Sequence, residues 1–310
     1  MSLRLPVQVF LDQVEAAGPD RLEDRSIDDA RAVFETFHSL GDAPEAVEHV
    51  SDTAIGPVPV RVYRPRRVSG PVVLWIHGGG WIVGSLESAD RLCRALANAS
   101  GAVVVSVGYR LAPEHAFPAA LEDCWAVLCT LPQLVLDWGG DPARIVVGGH
   151  DVGAAMAAVM CLMARGGQGP AIAQQILVAP ITRVAAQTAS RREFGSGYLL
   201  TEAALQRAAR VARVSPEDWR ASPLLADSFA DLPPALVYTC EYDPLRDEGE
   251  AFAAALVAGG GFVMQRRWLG QIHGFWAQLG LFEDARLAID EIAAVVSAAA
   301  RTEQLTNVGV

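Results

Sequence analysis

Six short strand candidates, five of them apolar runs, separated by stretches of helical periodicity, constrain this chain more than any other feature. They are Pro71 to Ile76, Val103 to Val107, Ile145 to Val147, Ile176 to Val178, Ala235 to Thr239 and Val263 to Trp268. The first five do not alternate with polar residues, as expected of strands buried on both faces, and Val263 to Trp268, though it carries Gln265, Arg266 and Arg267, is read with them as a buried strand, whereas Val58 to Tyr63 alternates like a half-buried strand. Helical patterns fall between them, at about 88–99, 118–131, 154–166, 202–213, 246–258 and 280–300. Strands that alternate with helices predict an α/β fold, a mainly parallel sheet covered on both faces. In such a sheet ligands bind at the carboxyl ends of the strands. Residues 1 to about 45 read as helical, with a capped start at Ser26-Ile27-Asp28-Asp29, and precede the sheet, so they are free to cover it. With 310 residues, 51% of them hydrophobic, and no repeat or low-complexity linker, the simplest division is a cap segment at 1–45 and one catalytic domain at 46–310.

At one strand end the spacing becomes chemically specific. Gly149-His150-Asp151-Val152-Gly153 follows the strand Arg144 to Gly148 and precedes the helix-forming run Ala154 to Leu162. This is the spacing of a nucleophile elbow, in which the central side chain tops a sharp strand-to-helix turn and a Cβ at either flanking glycine would collide with it. The central residue is aspartate where a serine is usual. A carboxylate needs no base to become a nucleophile, and the electrophile that suits it is a saturated carbon with a leaving group. The structural alternative is a turn whose Asp151 caps the following helix.

Other strand ends supply partners. His77-Gly78-Gly79-Gly80-Trp81 follows the strand ending at Ile76, and three successive glycines let backbone N–H groups turn into a cleft. Gly78 and Gly79, with Val152 after the elbow residue, are the expected oxyanion hole. Asp243, in Glu241-Tyr242-Asp243-Pro244, and His273, in Gln271-Ile272-His273-Gly274-Phe275, then complete the order nucleophile, acid, histidine.

Over most of its length the chain resembles the hormone-sensitive-lipase-like branch of the α/β-hydrolase fold. The resemblance rests on HGGGW at 77–81, GYRLAPEHAFPAALED at 108–123, DPARIVVGG at 141–149, SPLLA at 222–226, EYDPLRDEG at 241–249 and HGF at 273–275. It implies an eight-stranded sheet, an N-terminal helical cap, an insertion at about 182–220 bordering the pocket, esterase-type catalysis without cofactor, and a possible homodimer. Glu114, His115, Glu122 and Asp123 fall in a segment that mainly braces this fold. The family's G-D-S-A-G is here GHDVG, so its serine mechanism does not carry over directly.

GHDVGA looks like the elbow of α/β-hydrolase epoxide hydrolases and haloalkane dehalogenases. The first expectation is therefore an epoxide hydrolase acting on a small, moderately apolar molecule, with Asp151 as covalent nucleophile, Asp243 and His273 completing the triad, and an alkyl-enzyme ester as intermediate. A dehalogenase would usually place Trp after the aspartate, and Val152 has no side-chain donor. Tyr198 is the candidate donor to the departing alkoxide, while Trp81 or His150 would line the site. Two carboxylates near His273 should favour its protonated form at rest. The alternatives are a carboxylesterase-like hydrolase with weak activity through water activated by His273, a lyase or cyclase using His273 and Asp243 as acid and base, and an inactive ligand-binding protein.

Composition narrows the partners. A net charge of −11 argues against nucleic acid and anionic membranes, leaving a small-molecule substrate. All 25 basic residues are arginine, which excludes lysine Schiff-base chemistry. The five cysteines have no metal-ligand spacing and read as reduced core residues of a cytoplasmic protein, with neither metal nor cofactor. No run approaches the ~18 apolar residues of a membrane helix.

Overall fold

Two helices, α1 (Leu5–Ala16) and α2 (Ile27–His38), open the chain in the computed structural model, which describes residues 2–16 and 22–299. Ser26 starts α2 by accepting the Asp29 N–H, the usual remedy for an orphan donor at a helix N-terminus. The sheet follows, with β1 (His49–Ile55), β2 (Val58–Arg64) and β3 (Val72–Ile76), then α3 (Leu86–Ser100), β4 (Val103–Val107) and α4 (Ala119–Leu134). The second half runs β5 (Ile145–His150), α5 (Val152–Met163), β6 (Gln174–Val178), α6 (Ala189–Phe194), α7 (Glu202–Val211), β7 (Ala235–Tyr242), α8 (Arg246–Ala258), β8 (Val263–Ile272) and α9 (Glu283–Ala299).

The eight strands form one sheet in the order β1-β2-β4-β3-β5-β6-β7-β8. β1–β2 and β2–β4 are antiparallel, and every other pair is parallel. Each parallel return needs a crossover, and the helices supply it. Side chains leave each strand on alternate faces. In β3, Val72, Leu74 and Ile76 accordingly join a core with α4, α5 and α8, while Val73 and Trp75 join a second core with α3 and α9. Both faces are thus filled along the central strands, which is why their apolar runs do not alternate; β8, expected to be buried as well, is instead the sheet's other edge and is exposed from Met264 to Arg267. β1 was not expected; its residues are almost all exposed, and it pairs with β2 alone at the sheet's edge. Four of the cysteines are buried, and Cys129 lies at the surface.

A buried ion network pins the segment after β6 against α8. Arg191 Nε lies 2.8 Å from Glu248 Oε2, and its Nη1 lies 3.0 Å from Glu202 Oε2. The other Glu248 oxygen accepts the N–H groups of Thr182 and Arg183. Both groups sit away from water; burial pushes the Glu248 carboxyl up to about 7, against the Arg191 charge and the bonds that hold it, the balance on which a buried pair is tolerated. Held this way, the segment carrying α6 and α7 forms one wall of a cavity above the strand ends, and α1 and α2 form another.

Candidate active site

The turn from β5 to α5 is the strained point around which the site is built. Asp151 adopts φ 54°, ψ −123°, a conformation an L-residue holds only under constraint from its surroundings. A Cβ at Gly149 would strike the Ile76 carbonyl and the Gly153 backbone, and one at Gly153 would strike the Ile76 and His77 carbonyls. The expected collision at both flanking positions is therefore a property of the fold. Asp151 makes no side-chain cap to α5. Its carboxylate turns the other way.

Asp151 Oδ2 accepts the backbone N–H of Gly79 at 2.9 Å and that of Gly80 at 3.1 Å. These two donors point to where a carbonyl oxygen would acquire negative charge during acyl transfer. A serine ends one atom earlier, at Oγ; the longer aspartate places an anionic oxygen in the hole itself, where the bonds are charge-assisted. Its other oxygen, Oδ1, is buried without a partner among the described residues. Gly78, expected as one hole donor, gives its N–H instead to His150 Nε2 at 3.0 Å. Gly80 takes its place, because positive φ values at Gly79 (113°) and Gly80 (60°) turn those amides inward. Val152, the third expected donor, begins α5 with its side chain buried.

On the other side of the cleft, His273 Nδ1 lies 2.8 Å from Asp243 Oδ2. Asp243 is fully buried, and its second oxygen accepts the Leu245 N–H at 2.8 Å. Burial by itself would lower the His273 pKa; the charge of Asp243, their hydrogen bond and the charge of Asp151 outweigh it, so the pKa is raised. The expected tendency of His273 to be protonated is seen in that direction. Three other imidazoles near the site go the opposite way, chiefly through burial. His38 and His77 are lowered to about 4, and His150 falls well below the usual value. His273 alone among these four has its protonated form favoured by its surroundings.

The remaining expected residues divide. His150 lines the cavity, but its Nε2 is committed to Gly78. Tyr198 also lines the cavity, with its ring stacked on Tyr242 at 5.3 Å and edge-on to Phe194 at 5.4 Å. Trp81 does not line it; it is buried in the core, edge-on to Phe117. The sequence reading missed Gly80, and it missed His38, which closes α2 and forms part of the cavity wall. The cavity measures about 920 Å³ and contains Asp151, His273, Gly79 and Gly80 in its lining. No cluster of His, Cys, Asp or Glu suited to a metal occurs among the described residues.

A doubly covered sheet with an elbow, a glycine-built hole and a histidine–carboxylate pair at its strand ends defines an α/β-hydrolase. The model of the alpha/beta hydrolase fold family matches residues 73–277, and the chain belongs to that family, in its hormone-sensitive-lipase-like branch. A carboxylic ester hydrolase of Mycobacterium tuberculosis, LipN, is 39% identical over 89% of this chain and 77% of its own length. An ethyl acetate hydrolase of Pseudomonas putida is 34% identical over 92% and 95% respectively. The solved structure of a hyperthermophilic esterase from Pyrobaculum calidifontis superposes with a TM-score of 0.90 at 38% identity, covering 97% of this chain and 99% of that one. These relatives overturn the epoxide-hydrolase expectation and the assignment of Asp151 as covalent nucleophile, since they are hydrolases of esters. The geometry gives a physical reason for the same correction. One Asp151 oxygen is held by two amides and the other is buried, so neither is presented to an electrophile.

Proposed function

We propose that the protein is a slow carboxylic-ester hydrolase for small, largely apolar esters, in which a water activated by His273 attacks the acyl carbon. The observation that carries this reading is the His273–Asp243 pair, complete and facing the cavity beside the glycine hole. Asp243 accepts the Nδ1 proton and so leaves the Nε2 lone pair toward the cleft. Nε2 takes a proton from water as the oxygen bonds to the acyl carbon; the resulting imidazolium then returns that proton to the leaving alkoxide. Acid and alcohol are the products, and no side chain is acylated.

Slowness follows from the hole. With Gly79 and Gly80 bonded to Asp151, the developing oxyanion lacks two of the donors that the fold provides, and each such donor is worth about 10²–10³ in rate. The relatives' ester chemistry supports the reaction class, and the apolar cavity supports the substrate class.

The test is hydrolysis of p-nitrophenyl butyrate by the purified protein beside His273→Ala, followed in ¹⁸O-water. A rate lost in His273→Ala, with label in butyrate from the first turnover, is the expected result. Equal rates in the two proteins would sink the proposal. Label incorporated into the Asp151 peptide would contradict it as well, by showing attack through the side chain.

A further inference from the structure

The cavity wall holds a second imidazole that the reaction above does not use. His38 ends α2, and its Nδ1 lies 2.8 Å from the Phe34 carbonyl oxygen. A carbonyl oxygen only accepts, so Nδ1 carries the proton, and the neutral ring keeps its lone pair on Nε2. The ring is clamped by Phe34, with centroids 4.1 Å apart, and by Phe37 at 5.2 Å. Phe37 is itself packed on Phe10. Among the described residues no protein group bonds Nε2, and that atom is not among those sealed from solvent.

A histidine is a poor choice for merely filling this space. Phe34, Phe37, Ile82 and Val83 line the same cavity and offer no side-chain hydrogen bond. Here one imidazole nitrogen holds the ring in place and the other leaves a fixed acceptor in a largely apolar wall. An ester group has only acceptors, so it cannot satisfy that nitrogen. The matching group must be a donor elsewhere on the substrate.

We propose that His38 is a specificity-determining residue whose Nε2 accepts a hydrogen bond from a hydroxyl on the substrate chain, so that the site prefers hydroxylated esters to plain alkyl esters of the same length. This rests on the ester-binding reading of the cavity. A plain ester that displaces cavity water strands the acceptor, whereas a hydroxylated one pairs with it. The expected preference is about tenfold or more.

The experiment titrates methyl 6-hydroxyhexanoate and methyl heptanoate, which differ by hydroxyl against methyl, into protein carrying ¹⁵N-labelled histidine. Native protein should bind the hydroxy ester about tenfold tighter or more, and the His38 Nε2 resonance should move with that ligand and not with the heptanoate. His38→Phe should bind the two equally, while His38→Gln, which keeps an amide oxygen, should retain part of the preference. Equal binding by the native protein, a preference that survives His38→Phe, or an unmoved Nε2 resonance at saturation overturns the inference. If the preference is found and neither ester is hydrolysed, His38 keeps its role and the hydrolase reading fails. If neither ester binds, both fail.

Discussion

The two halves of the catalytic cleft have been treated differently. On the histidine side, every bond that orients a general base is present: Asp243 is buried, holds His273 at 2.8 Å and is steadied by the Leu245 amide. On the elbow side, the strained turn and the glycine hole are equally intact, but the residue they would serve has folded into the hole. One half is poised and the other is occupied by its own side chain. The lesson is that an active-site scaffold can persist in full while a one-atom difference in side-chain reach changes what it admits.

The comparison can be broken hardest from the histidine side. Asp243→Asn should lower ester hydrolysis by about 10²–10⁴-fold, because the imidazole loses both its tautomer control and its charge partner. A fall of less than tenfold in initial rates would show that the intact half does not carry the activity. Stability offers a control outside both halves. Glu248→Ala removes one of the two carboxylates that pair Arg191 and the acceptor of the Thr182 and Arg183 N–H groups, and should cost about 3 kcal/mol in denaturant unfolding, while leaving the pH profile of the surviving activity in place.

A smaller effect sharpens the contrast. Only unprotonated His273 acts as base, and its pKa is raised, so the rate should climb with pH through a limb lying above the ordinary value of 6.5. Asp151→Asn keeps an acceptor for the Gly79 and Gly80 amides but removes a negative charge that favours the imidazolium. The limb should then move to lower pH, by up to about one unit. A limb that stays in place or moves upward would show that the two halves are not electrostatically coupled as described.

Much of this arrangement was legible in the residues. The buried strands announce themselves because both faces of the sheet are filled, and Asp243, His273 and the elbow fall at strand ends in a fixed order. β1 escaped notice because His49–Ile55 is nearly all exposed and has no apolar pattern to read. Three glycines in a row told of a hole but not which two amides turn inward; that is set by the φ values of Gly79 and Gly80. Asp151 was visible as a substitution, yet the direction of its carboxylate depends on a side-chain torsion and on the reach to two amides, neither of which spacing encodes. His38 was similarly hidden. Phe34, Phe37 and His38 share a helix face in the sequence, but only the folded cap shows one ring nitrogen bonded to the helix and the other left to the cavity.

The central claim is that Asp151, by filling the hole, is what holds ester hydrolysis down in an otherwise complete esterase site. Asp151→Ser tests it directly, in a stopped-flow assay with p-nitrophenyl butyrate. The account predicts a burst of p-nitrophenol stoichiometric with enzyme and a rate gain of at least about 10²-fold, the worth of one recovered hole donor. A folded Asp151→Ser protein with no burst and an unchanged rate would contradict it.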